Sequence, residues 1–192
     1  MKEMMQKPTL LEPYHSARPS VYMQFFMRLQ SEHEGLKQKC EELSELSSRA
    51  ATTSGSFGAQ HSLHELVGKA KHLLRELDSH VKWEDEELFP LFSRYYKRKL
   101  EPTILPSLWV LEKDHELALQ FFESFLQMSN ELHAMLLLDT NRQETKFRDK
   151  MKACCDCLTQ GCLILTSHFQ MEEELIYPLA DEILTDMDYL FS

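Results

Sequence analysis

Between residues 20 and 50, apolar side chains return every three or four positions: Phe26, Leu29, Leu36, Cys40 and Leu43, with His33 standing in the same line. A second line runs through residues 61–98 as Leu66, Ala70, Leu73, Leu77, His80, Glu84 and Leu88. A third, in residues 104–138, is Leu108, Leu111, His115, Ala118, Phe122 and Phe125. A fourth, in residues 144–182, is Cys154, Leu158, Gly161, Leu165, His168 and Glu172. Steps of three and four are the signature of one apolar face on an α-helix. The intervening residues are rich in Leu, Glu, Lys, Gln, Met and Ala, which favour helix. The lines are separated by "ATTSGSFGA" (51–59), "LEPTILP" (100–106) and "LDTNRQ" (138–143), whose small residues, prolines and turn formers predict connections. Four amphipathic helices joined by short loops predict an all-α protein, an antiparallel up-down-up-down four-helix bundle. Residues 1–19, with Pro8, Pro13 and Pro19, are expected to form an arm laid over it. Residues 20–182 are expected to form the bundle, and 183–192 a C-terminal tail.

Each apolar line is broken in its middle by His or Glu. A single buried His is usually satisfied by a hydroxyl or carbonyl, but a buried carboxylate without a partner costs several kcal/mol. Six such interruptions need one common cause. If the first turn lies near residue 56 and the third near 141, His33 and His80 stand at matched distances from the one, and His115 and His168 from the other. At ~1.5 Å per residue all four imidazoles reach one level of the bundle. Glu84 and Glu172 follow His80 and His168 by four residues, one turn away on the same faces. Four imidazoles and two carboxylates at one depth predict a metal site made of His33, His80, Glu84, His115, His168 and Glu172. That donor mixture suits iron, with zinc, manganese or copper as alternatives. Six ligands exceed the four of a tetrahedral zinc site, so two metals sharing the carboxylates is the economical arrangement.

The two His-Glu segments also match each other. "HVKWEDEELFPLF" (80–92) overlays "HFQMEEELIYPLA" (168–180), with Leu88 on Ile176, Phe89 on Tyr177 and Pro90 on Pro178. The chain therefore reads as two pseudo-repeated helical hairpins. Pro90 and Pro178 are expected to kink or end their helices just past the site. The remaining acidic residues of both runs read as a solvated face.

Composition narrows the partners. The 192 residues carry 31 acidic against 21 basic side chains, a net charge of -10, which argues against nucleic acid or an anionic membrane as a partner. The basic "YKRK" (96–99) reads as a solvated helix end. No run approaches the ~20 apolar residues of a membrane span, and the N-terminal residues contain no apolar signal region. Four of the five cysteines (Cys154, Cys155, Cys157 and Cys162) share one segment, which reads as core packing in a reducing, cytoplasmic setting.

"SEHEGL" with "HVKWEDEELFP", then "KDHELAL" with "HFQMEEELIYP", resembles a hemerythrin-like (HHE cation-binding) domain over residues 20–182. In that family each of two helical hairpins gives a lone His from its first helix and HxxxE from its second. The resemblance implies a centre of two iron ions, with His33 and His80 on one, His115 and His168 on the other, and Glu84 and Glu172 bridging beside an oxo or hydroxo group. Oxygen-carrying members have a fifth His, through a His pair four apart on the third helix. Here the positions four from His115 are Leu111 and Leu119. His61, His64 and His72 lie at least two turns from His80, and Glu112 and Glu116 flank His115 either as substitutes or as solvated charges. A vacant coordination position would favour small ligands. A ferritin-like di-iron bundle fits less well, because only Glu112 with His115 makes an ExxH.

The expected function is a non-haem di-iron protein that binds or senses dioxygen or nitric oxide. The alternatives are a di-iron redox enzyme (peroxide or nitric oxide reduction, or iron donation for iron–sulfur repair) and an iron-handling or regulatory protein acting through a protein partner. Gly161, two turns before His168, reads either as a point of close helix packing or as an apolar path for a diatomic ligand.

Overall fold

The computed structural model describes residues 21–52, 56–93, 104–137 and 144–191, and side chains within 23–52, 58–93, 113–137, 145–179 and 182. The expected N-terminal arm with His15, the "YKRK" segment, most of the connections and the side chains of Leu108, Leu111 and Glu112 lie outside the described residues. Four helices carry the four apolar lines. They are α1 (Val21–Ala50), α2 (Ser56–Trp83), α3 (Ile104–Leu137) and α4 (Glu144–Phe191). Among the described residues there is no strand. No described helix is long and apolar enough to cross a membrane.

The C-terminal end of α1 shows how a helix closes. The amide of Ala51 still reaches the Ser47 carbonyl at 2.9 Å. The Thr52 amide and hydroxyl then both donate to the Arg49 carbonyl, at 3.2 and 2.9 Å. The last carbonyls would otherwise lack donors.

Helix α1 packs against α2 and α4, and α3 packs against α2 and α4. Between α1 and α2, Lys39 meets Glu76 and Lys69 meets Glu42. Between α3 and α4, Lys150 meets Glu131 and the Ser129 hydroxyl lies against the Cys154 thiol. In both pairs, later residues of one helix meet earlier residues of the other. These surface ion pairs each contribute little, roughly 0–1 kcal/mol.

Most of the adhesion is apolar. One buried cluster includes Leu36, Leu77, Ala118, Phe122, Leu165 and Phe169; a second holds Phe26, Leu29, Trp83, Leu88, Phe89, Phe92 and Ile176. Burying one such large side chain contributes about 1.5–3 kcal/mol. The six His and Glu positions fall between the two clusters. Leu36 and Leu29 flank His33 on α1, and Leu165 and Ile176 flank His168 and Glu172 on α4.

Three features differ from expectation or decide between readings. First, neither proline ends its helix. Pro178 lies inside α4, which continues past residue 182 to Phe191. Helix also continues over residues 89–93, around Pro90. Second, α2 passes into Glu84–Leu88 through a π-helical turn, in which the Phe89 amide donates to the Glu84 carbonyl five residues back. A π turn is wider than an α turn and recurs at functional sites. It lets Trp83, Glu84, Leu88 and Phe89 all be buried, whereas in the matched stretch of α4, Met171 is exposed beside buried Glu172. Third, a Cβ on Gly161 would sit 3.0 Å from the Phe122 ring, which fills that space. Gly161 is a packing residue, and the apolar-path reading fails there.

Candidate metal centre

All six positions singled out in the sequence are buried. His33, Glu84, His168 and Glu172 are 0% exposed, His80 1% and His115 4%. The structure brings four of them into one tight group. Ligand atoms of His33, His80, Glu84 and Glu172 all lie within 4.8 Å of one another. His115 and His168 stand outside that group but adjoin it. His115 Nε2 is 3.8 Å from Glu84 Oε2, and His168 Nε2 is 3.6 Å from Glu172 Oε2. The two rings pack with centroids 4.0 Å apart. Glu84 therefore meets His33 and His80 through Oε1 and His115 through Oε2, while Glu172 meets His33 and His168 through Oε2.

The proton positions follow from partners that lay unread in the sequence. Nδ1 of His80 donates to Glu32 at 2.9 Å, and Nδ1 of His33 donates to Glu173 at 3.0 Å. Glu32 is held below the usual carboxylate range chiefly by the His80 hydrogen bond. Glu173 is also lowered: its half-burial opposes this, but Lys37 and His33 outweigh it. An ionised carboxylate only accepts, so the Nδ1 atoms carry the protons. The Nε2 lone pairs then face inward, 3.2 Å from each other. His80 Nε2 is 2.8 Å from Glu84 Oε1, and His33 Nε2 is 3.2 Å from Glu172 Oε2. Close as these atoms are, neither oxygen of Glu84 nor of Glu172 is aligned to accept a hydrogen bond. Lone pairs crowded in this way repel unless a cation, either proton or metal, lies among them.

Without a metal, protons take that role unevenly. Burial pushes His80 down, but Glu32 and Glu84 outweigh it and raise it to about 9. His33 is raised in the same manner against its own burial, by Glu172 and Glu84. Burial and then the charge of Glu84 push Glu172 up to about 7. Glu84 goes the other way, lowered by the neighbouring His33 and His80 despite its burial. Burial lowers His115 to about 4 and His168 to about 3. Neither ring nitrogen of His115 or of His168 has a hydrogen-bond partner among the described residues. Each such orphaned buried atom costs on the order of 1–3 kcal/mol. The cost is removed if the atom ligates a cation. Inward lone pairs, orphaned nitrogens and an imidazole–carboxylate donor set fit a transition-metal cation, iron among them.

Phe169 closes the site from the apolar side, its ring packing on His33, His80 and His168. The other residues weighed as ligands are placed elsewhere. His61, His64 and His72 are exposed, and His72 pairs with Glu76 at the surface. Glu116 is exposed and bonded by Lys113, and Leu119 is exposed. Glu86, Glu87 and Glu174 belong to a solvated face as expected, but Glu173 does not: it is half-buried and bonded to His33 and Lys37. The sequence signal for Glu32 and Glu173 was adjacency, each standing next to a site residue. All five cysteines are free thiols, and Cys154 and Cys155 are pushed up to about 11 and about 12 by burial. That is the behaviour of core packing.

Fold and site together define a helical bundle whose core holds a His/Glu cluster able to bind a metal cation. The chain belongs to the hemerythrin HHE cation-binding domain family, whose sequence profile matches residues 26–180. Comparison with curated proteins and with solved structures gives no match.

Proposed function

We propose that the chain is a non-haem di-iron protein that binds or senses a small diatomic ligand, dioxygen or nitric oxide. His33 and His80 would hold one iron, His115 and His168 the other, with Glu84 and Glu172 shared between them. The observation that carries this is that each carboxylate touches at least one imidazole of either pair, with eight buried ring and carboxylate atoms (both oxygens of Glu84 and Glu172, both nitrogens of His115 and His168) lacking hydrogen-bond partners. When bound, two irons supply reversible one-electron chemistry and a coordination position for a small ligand.

The chain's own residues orient and insulate. Glu32 and Glu173 hold the imidazoles of His80 and His33, Phe169 keeps water from one side, and the apolar clusters keep charge out. A small uncharged ligand suits such surroundings. The contact order between α1 and α2 and between α3 and α4 supports an up-down-up-down topology of two related hairpins. The free thiols are in keeping with a cytoplasmic setting.

The test is stopped-flow spectroscopy of the reduced, iron-loaded chain mixed with dioxygen or nitric oxide. The expected result is a stable adduct with at least one of them, reversed when the ligand is removed. Single-step oxidation by dioxygen, with no adduct of either ligand, contradicts the binding reading and favours a redox enzyme.

A further inference from the structure

We propose that the two halves of the site are inequivalent and fill in order. A divalent cation binds first among His33, His80, Glu84 and Glu172; the His115–His168 half takes a second, weaker and exchangeable cation. The proposal rests on the di-metal reading above and adds which position is which.

On the first half, the ligand atoms are already gathered within 4.8 Å. Both imidazoles are also braced from behind. The Glu32 carboxylate that accepts from His80 Nδ1 is itself held by Arg28 Nε at 2.7 Å, and the Arg28 guanidinium lies 4.2 Å over the Trp83 ring. The Glu173 carboxylate that accepts from His33 Nδ1 is held by Lys37 Nζ at 2.7 Å. Each imidazole–carboxylate–cation chain fixes the tautomer and the ring plane before a metal arrives. It also makes Nε2 a better donor.

The second half has the same residue types without the bracing. His115 and His168 have no partner on Nδ1 or Nε2 among the described residues. His115 and His168 stand 3.8 and 3.6 Å from Glu84 and Glu172, against 2.8 and 3.2 Å for His80 and His33. Rings held by packing alone must be ordered when the metal binds, and that ordering subtracts from affinity. The pseudo-repeat thus supplies equivalent ligands, while the residues beside those ligands make the halves differ. Arg28, Glu32 and Lys37 lie on α1, and Glu173 stands where the first repeat has the exposed Asp85.

The experiment is anaerobic titration of the metal-free full chain with Co2+, a spectroscopic stand-in for Fe2+, followed by calorimetry and by visible d–d absorption. The wild type should take up two equivalents in two resolved steps, at least ~10-fold apart in affinity. Glu32→Gln combined with Glu173→Gln keeps the shape and removes the charge. It should weaken the tighter step by about 10–100-fold and leave the weaker one in place. His115→Gln, or His168→Gln if the first variant fails to fold by circular dichroism, should abolish the weaker step. The tighter step should survive with its spectrum unchanged.

Two wild-type steps of equal affinity overturn the proposal. So does loss of the tighter step in His115→Gln or His168→Gln. Equal weakening of both steps by the double Gln variant, the signature of a merely structural role, overturns it as well. A single equivalent in the wild type overturns the di-metal reading and takes this proposal with it.

Discussion

A buried imidazole has two nitrogens to satisfy, and how each is satisfied separates the site into its parts. His33 and His80 spend Nδ1 on carboxylates of neighbouring helices and aim Nε2 inward. His80 at about 9 and Glu172 at about 7 hold protons at neutral pH that a metal must displace. His115 and His168, at about 4 and about 3, are already neutral there. Metal affinity should therefore rise between about pH 6 and pH 9 and level off above. Calorimetry in buffers of different ionisation enthalpy should show net proton release at pH 7; a pH-independent affinity with no release contradicts these assignments. The sign for the metal-free chain is the opposite for the same groups. Folded pKa values above the unfolded ones stabilise at low pH and lose that contribution as pH rises, through about 7 for Glu172 and about 9 for His80. The melting temperature of the metal-free chain should fall over that range, and a rise would count against it. The burial of the six polar positions was legible because each interrupts an apolar line. Glu32 and Glu173 were not, because each reaches across to another helix and sequence spacing does not encode that angle.

Helix period alone placed α1 to α4, since their apolar lines are long and unbroken by glycine clusters. The π turn at Glu84–Leu88 had no such signal, because the "HVKWEDEEL" and "HFQMEEELI" stretches read alike while only one adopts it. Its neighbours differ in bulk: Trp83 is buried against Phe25, whereas Met171 at the matched position is exposed. The prolines do not end their helices for a related reason. A proline removes one amide and crowds one carbonyl, but packing of the residues beyond it can hold the helix together. At Gly161 the sequence left two readings open, and the Phe122 ring decides for packing. Replacing Gly161 by Leu should overpack this contact and cost about 1–3 kcal/mol. That is a melting temperature lower by roughly 2–12 °C for a chain of this size. Iron content and the rate of dioxygen or nitric oxide association should not change. A normal melting temperature with slowed association would restore the ligand path.

The described residues form two apolar clusters with a polar layer between them, an arrangement that is stable only if the layer is satisfied. Metal binding should therefore couple to folding. At free metal about 100-fold above the dissociation constant, linkage contributes about 2.7 kcal/mol, a rise in melting temperature of roughly 5–11 °C. Chelation should reverse it and speed amide exchange around His80 and His168; an unchanged melting temperature would mean that the six side chains hold no metal together. The net charge of -10 gives the surface a general attraction for cations, but selection among them falls to the donor set. The measurement that bears most directly on the di-iron centre is metal content per chain, taken with the optical spectrum, on protein purified aerobically from iron-replete cells. Two irons per chain with near-ultraviolet charge-transfer bands are expected. One tightly held zinc with no iron, or a folded chain with no metal at all, would contradict it.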